Sequence, residues 1–384
     1  YVELHSHSNY SFQEGASSIG ELLAQAKSLG YGAMALTDHD NLCGAMEFAR
    51  TANSLDIKPI TGAEITLRDG SHLTLIAETR KGYANLCNLI THSLVDGENL
   101  DPKFLHHYAE GLVLLTGCPR GRVPRLLSDD RECDAQEQTR RYMEWFGADN
   151  VFIELQRNLV HGETARNRRL FRLARKLGVR TVPTNNVHYH VPERHRLQDV
   201  LVAIGHNKAL EETHRERRPN ANFYLKSPEQ MMALFQDIPE AVQSSAHIAE
   251  RCTFNLKEDL GYKFPDYPAP EGYTPQTYLE KICYEAAVRR YGSVTARVQE
   301  RLSEEFRLIS KHNLAGFFLI YHEIINMAQE VMIDLGLSDR EIPLEERPPG
   351  RGRGSSVVML VGYLVGLSHI DPLKFDLSLE RFIY

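Results

Sequence analysis

Apolar and polar positions change rhythm along this chain. Up to about residue 190, short apolar runs with the period of a strand trade places with stretches that repeat every 3.6 residues. The runs at 33–37, 59–65, 72–77, 112–116, 151–154 and 180–183 predict strands, and the stretches at 18–29, 41–55, 83–95, 134–146 and 162–177 predict amphipathic helices. Such alternation predicts an α/β fold of parallel strands covered by helices, and six or seven strands favour a barrel over an open sheet.

After residue 190 the pattern turns helical. One helix is expected at 192–204, an irregular polar loop at 206–222, a helix opened by Ser227-Pro228-Glu229 with serine as cap, and another at 237–252. Pro265, Pro268, Pro270 and Pro275 crowd residues 262–275, the best linker in the chain. Helices follow at 276–291, 295–312 and 314–332, then a loop at 338–349 and a short apolar helix at 357–366. The expected division is a barrel with its helical extension over 1–258, a linker over 259–275 and a further region over 276–384.

Composition changes this picture little. With 384 residues, 42% hydrophobic and 25% charged, there is material for a large barrel and a second unit, and a net charge of -7 gives no global attraction to nucleic acid. Six scattered cysteines without a C-X-X-C pair argue against a disulfide framework or a zinc ribbon, so a reducing cytoplasm is expected. The longest apolar run, 357–367, is too short to span a bilayer, and no membrane partner is expected. The chain opens at Tyr1 already in a strand-like run, so a trimmed start is expected. The arginine-rich helix at 162–180 reads as a solvated face, because no aromatic residues interleave its charges.

The chemistry gathers at strand ends. His5 and His7 lie two apart in an extended stretch, which puts both imidazoles on one side of the backbone. Glu14 follows in the next loop, then Asp38, His39 and Asp40, then Glu64, His72, Cys118, and Asn186 with His188. Each has a bland alternative as a cap or a small core residue, but so many at successive strand ends make coincidence a poor account. Imidazoles with carboxylates suit zinc, manganese or iron, and a carboxylate between ions can bridge them. Two or three such ions would activate water for phosphoester hydrolysis.

His5-Ser6-His7, Thr37-Asp38-His39-Asp40-Asn41, Gly62-Ala63-Glu64, Thr116-Gly117-Cys118 and Asn185-Asn186-Val187-His188-Tyr189 resemble the motifs of the PHP (polymerase and histidinol phosphatase) domain, as found in bacterial C-family DNA polymerases. The resemblance covers residues 1 to about 255. It implies a distorted (β/α)7 barrel whose metal ligands are His5, His7, Glu14, His39, Glu64, His72, Cys118, Asn186 and His188, with His39, Glu64 and His188 catalytic. Asn186 and Glu14 stand where the family usually carries Asp, and an amide brings no charge to a cation.

Gly352-Arg353-Gly354-Ser355, the apolar helix after it, Ile370-Asp371-Pro372 and Glu380-Arg381-Phe382 resemble the start of the palm of the same polymerases. There Arg353, Gly354 and Ser355 would meet the nucleotide triphosphate. The family's catalytic aspartates for DNA synthesis lie downstream of Glu-Arg-Phe, so this stretch alone is not expected to polymerise. Tyr1 to Phe12 and Tyr224-Leu225-Lys226-Ser227-Pro228-Glu229 look closest to the error-prone branch. The resemblance implies DNA and deoxynucleoside triphosphates as partners of the full-length protein, other replication or repair proteins beside them, and magnesium for its polymerase site. The alternatives are a free-standing phosphatase of the histidinol phosphatase kind and a catalytically silent metal-binding scaffold.

Overall fold

A computed structural model describes all residues except 96, 98, 263, 343–357 and 380–384. Strands β1 (Ala33–Leu36), β2 (Lys58–Thr66), β3 (His72–Ala77), β4 (Leu112–Leu115), β5 (Val151–Gln156) and β6 (Arg180–Thr184) form one sheet in sequence order. The first segment of the chain joins its two edges. Glu3 bridges Met34 beside β1, and Ser6 bridges Val187 just past β6. The Ala35 amide donates to the Glu3 carbonyl at 2.9 Å and the Val187 amide to the His5 carbonyl at 2.9 Å, so the sheet curls round the segment that carries both leading histidines.

The expectation of parallel strands throughout needs one correction. β1 with β2, β4 with β5 and β5 with β6 are parallel, but β3 runs antiparallel to both β2 and β4. The reason is chain length: only residues 67–71 join β2 to β3, with Gly70 at φ +72°, and a parallel return needs a crossover of about a dozen residues. Reversal has a chemical consequence. It brings the first residue of β3, His72, opposite Thr66 at the last residue of β2.

Strands buried on both faces account for the continuous apolar runs. Ala35, Ile60, Ile76, Val113, Leu115, Phe152 and Val182 meet in one cluster to which every strand contributes, with Ile248 and Ala249 of helix Pro239–Arg251 packed into it. Their neighbours Leu75, Leu112, Leu114 and Ile153 belong to another, under the surrounding helices. Period-two alternation therefore feeds two cores at once.

The chain divides into two compact units, Tyr1–Gly261 and Tyr262–Tyr384. In the second, helices Pro275–Tyr291, Ala296–Lys311, Ala315–Asp334 and Leu360–Leu364 enclose Leu279, Cys283, Leu302, Phe306, Phe318 and Val361. Thr274 caps the first of these helices with Pro275 at its first position. The proline-rich stretch is part of this unit: a side chain at Gly316 would come within 2.4 Å of the Pro265 carbonyl oxygen, and Tyr267 rests on the helical core. The apolar helix expected at 357–366 is shorter, Leu360–Leu364, because Met359 is extended and Gly366 takes φ +85°. The expected nucleotide contacts Arg353, Gly354 and Ser355 lie outside the described residues.

Candidate metal centre

Glu64 is the hub. It sits in β2, almost wholly buried, and four imidazoles converge on its carboxylate from three other parts of the barrel. His5 Nε2 stands 3.4 Å and His72 Nδ1 3.2 Å from Oε1; His7 Nε2 and His39 Nδ1 each stand 3.7 Å from Oε2. Two groups of three ligands result, His5 with His7 and Glu64, and His39 with Glu64 and His72; within each group the ligand atoms lie within 4.8 Å of one another.

Three of the four imidazoles are aimed by a partner on the far nitrogen. Glu154 Oε1 lies 2.7 Å from His5 Nδ1, and Ser11 Oγ lies 3.0 Å from His7 Nδ1. Thr66 Oγ1 at 2.6 Å and Asp40 Oδ2 at 3.2 Å take His39 Nε2, which leaves Nδ1 facing Glu14 Oε2 at 3.2 Å as well as Glu64. Such outer carboxylate and hydroxyl contacts fix the tautomer and ring plane of a metal-binding histidine. Asp38 plays a third part: it accepts from the Ser8 amide at 2.7 Å, Ser8 Oγ at 2.7 Å and Ser11 Oγ at 2.6 Å, and so anchors the loop after His7.

What remains unpaired is informative. His5 Nε2, His7 Nε2 and Glu64 Oε1 are buried atoms with no hydrogen-bond partner. A buried polar atom left so costs about 1–3 kcal/mol, and three pointing at one spot fit divalent cations of the zinc, manganese or iron kind. The electrostatics agree. Burial opposes a charge on His5, yet Glu154 and Glu64 hold its pKa up to about 10; burial takes His7 down to about 3. Burial likewise opposes charge on His39 and Glu14, but His39 with Asp40 and Glu14 is held up to about 11, and Glu14 beside His39 falls to about 2. Glu64 lies well below the usual carboxylate range, since the histidines outweigh its burial. So many carboxylates in one buried place are balanced by protonated imidazoles, for which metal ions would substitute.

Other expected ligands sit at the rim. Cys118 Sγ approaches His72 Nδ1 at 3.8 Å, and burial followed by the Glu64 charge pushes its thiol up. His188 stacks on His7 with ring centroids 4.4 Å apart, and its Nε2 lies 3.0 Å from Asn186 Oδ1. That nitrogen also accepts from Arg218 Nη2. Among the described residues, neither three-ligand group includes Glu14, Cys118 or His188. Ser11, Thr66, Glu154 and Arg218 escaped the sequence reading. Glu154 had a signal, a carboxylate inside the apolar run Val-Phe-Ile-Glu-Leu; Arg218 had none, since it comes from the irregular loop at 206–222.

Comparison with known proteins divides the chain in the same order. Residues 3–158 match the PHP domain family, and residues 277–384 match the bacterial DNA polymerase III alpha NTPase domain. All of the chain aligns at 36% identity with an error-prone DNA polymerase of Symbiobacterium thermophilum, covering 36% of that protein. It aligns at 35% identity with a DNA polymerase III subunit alpha of Treponema pallidum, covering 33% of it. The chain thus spans about a third of the length of the curated relatives it matches. Among solved structures, an amidohydrolase from Chromobacterium violaceum overlaps 49% of this chain and 87% of its own at 16% identity and a TM-score of 0.35. Both family matches in one chain, together with likeness along its whole length, give it a PHP domain over residues 3–158 and a bacterial DNA polymerase III alpha NTPase domain over residues 277–384.

Proposed function

We propose that this chain is the N-terminal portion of an error-prone bacterial DNA polymerase, working in DNA replication and repair, whose PHP barrel is a metal-dependent phosphoesterase acting on 3' ends of single-stranded DNA. The carrying observation is Glu64, a buried carboxylate ringed by four imidazoles, with one of its oxygens lacking any hydrogen-bond partner. Zinc, manganese or iron held there would lower the pKa of bound water and balance the charge of a phosphoryl group.

The chain's own residues would prepare that chemistry. His5, His7, His39, Glu64 and His72 form the two adjoining ligand groups, and Glu154, Ser11, Thr66 and Asp40 hold the rings in register. His39, 16% exposed at its side chain, is the hub histidine open to the outside, so it is the one placed to meet a substrate; His188 closes the opposite side against His7. Glu14, Cys118 and Asn186 complete the set at its rim. In the full-length protein, DNA, deoxynucleoside triphosphates and magnesium would serve the polymerase site, with Arg353, Gly354 and Ser355 at the nucleotide. Among the described residues no helix is long and apolar enough to cross a membrane, and the six cysteines are free, which suits the reducing cytoplasm this reading assigns.

Incubating the purified chain with manganese and end-labelled single-stranded DNA tests the barrel's role. Slow release of nucleotides, abolished in His39→Ala, is expected. Bound metal without any release would leave the barrel a silent scaffold, and release that survives His39→Ala would point to a contaminating nuclease.

A further inference from the structure

The rim at His188 is built for a cation of a different kind. His188 Nδ1 lies 3.2 Å from the Glu14 carbonyl oxygen, an acceptor only, so the ring proton sits on Nδ1 and Nε2 carries a lone pair. Asn186 Oδ1 stands 3.0 Å from that lone pair. Two electron-rich atoms at this distance repel unless positive charge lies close by. The guanidinium of Arg218 supplies it, with Nη2 donating to His188 Nε2. Arg218 is itself fixed in place, since its guanidinium lies 4.8 Å from the Phe223 ring centre and the Phe223 ring packs edge-on against His188.

Arg218 also faces outward. With Glu14 it lines a cavity of about 390 Å3 whose wall carries Arg120 and Arg215, so an anion entering there meets the guanidinium at the edge of the ligand cluster. Neither three-ligand group includes His188. An amide in place of a carboxylate weakens a metal position but suits a neighbouring arginine, because no charge needs to be cancelled.

We propose that the Arg218 guanidinium takes the place of a third metal ion at Asn186 and His188, so that the centre holds two ions and grips the substrate's phosphoryl group in part through a fixed organic cation. This rests on the metal reading above. A guanidinium suits the role because its planar fork can hold a phosphoryl oxygen while keeping its bond to His188.

The test is a titration of the metal-stripped chain with Mn2+, counted by elemental analysis after gel filtration, and then of the loaded chain with inorganic phosphate by calorimetry. Two ions per chain are expected, rising to three in the Asn186→Asp, Arg218→Ala double variant. In Arg218→Ala alone, two ions remain and phosphate binds at least about tenfold more weakly, the scale of one lost charge-assisted hydrogen bond. Three ions in the unaltered chain overturn the proposal and spare the metal reading, as do two in a double variant whose circular dichroism shows it folded. Unchanged phosphate affinity in Arg218→Ala also overturns it. Fewer than two ions in the unaltered chain sink the metal reading and this inference together.

Discussion

Both units of the chain bury glutamates, and Glu305 and Glu64 are finished differently. In the helical unit Glu305 is fully buried, and both its oxygens are satisfied: Oε1 accepts from Arg301 Nε at 2.8 Å and the Leu360 amide at 2.7 Å, Oε2 from the Val361 amide at 2.8 Å. Arg301 reaches on to the carbonyls of Val358 and Leu377, at 2.8 and 3.0 Å. The pair ties helix Ala296–Lys311 to the start of helix Leu360–Leu364, and nothing at the carboxylate is left over. In the barrel, Glu64 meets four histidines and still leaves Oε1 without a hydrogen bond. A buried carboxylate that the protein satisfies is architecture; one that it surrounds with ligands and leaves open awaits something from outside.

Removing the two carboxylates sets that contrast most sharply. Glu64→Gln takes a ligand from both groups, so loss of essentially all bound metal is expected, while the helical unit unfolds as before; elemental analysis retaining both ions would erase the distinction. Glu305→Ala should act in the opposite way. It strands Arg301 and two amides in a dry interior and should lower the stability of the helical unit by about 3–5 kcal/mol in a denaturant titration, with metal content unchanged. An outer contact comes next: Glu154→Gln keeps the shape beside His5 but loses the charge that orients it, and metal affinity should fall about 10–100-fold by competition with a chelator.

The smallest effect is one of pH, and its sign separates the two glutamates. Burial raises the Glu305 pKa above its ordinary 4.5 despite its three donors. A raised carboxyl contributes its stability at pH values below the ordinary pKa and loses it as pH climbs through the folded one. The stability advantage of the unaltered chain over Glu305→Gln should therefore shrink as pH rises from the ordinary carboxylate pKa. An advantage that grew instead would mean that the amides and Arg301 outweigh burial. The metal-free Glu64, held below its usual range, has the opposite slope, giving stability above the ordinary pKa that is lost as pH falls.

Much of the barrel could be read in advance because its rules are local. Short continuous apolar runs mark strands wherever both faces are buried, and the predicted strand positions match β1 to β6 closely. The helix starting at Pro228 was legible from Ser227, whose side chain accepts from the Gln230 amide as a cap should. The reversed direction of β3 was not, because alternation reports that strands and helices follow one another and says nothing about which way a strand lies in the sheet. Nor was the length of the last apolar helix, since Met359 through Gly366 are buried or nearly so whichever of them are helical.

The candidate centre divides along the same line. His5 and His7 share a side of the chain by backbone geometry alone, while His39 follows one strand and Glu64 lies near the end of the next, both marked by the hydrophobic pattern. Distances through space belong to the fold. Only the reversal of β3 carries His72 to Glu64, only the curl of the sheet brings Glu154 under His5, and only the path of the loop at 206–222 delivers Arg218 to His188. Local sequence determines which atoms a strand end can offer; closing the sheet decides which of them meet, because that depends on register and chain direction summed around the whole barrel.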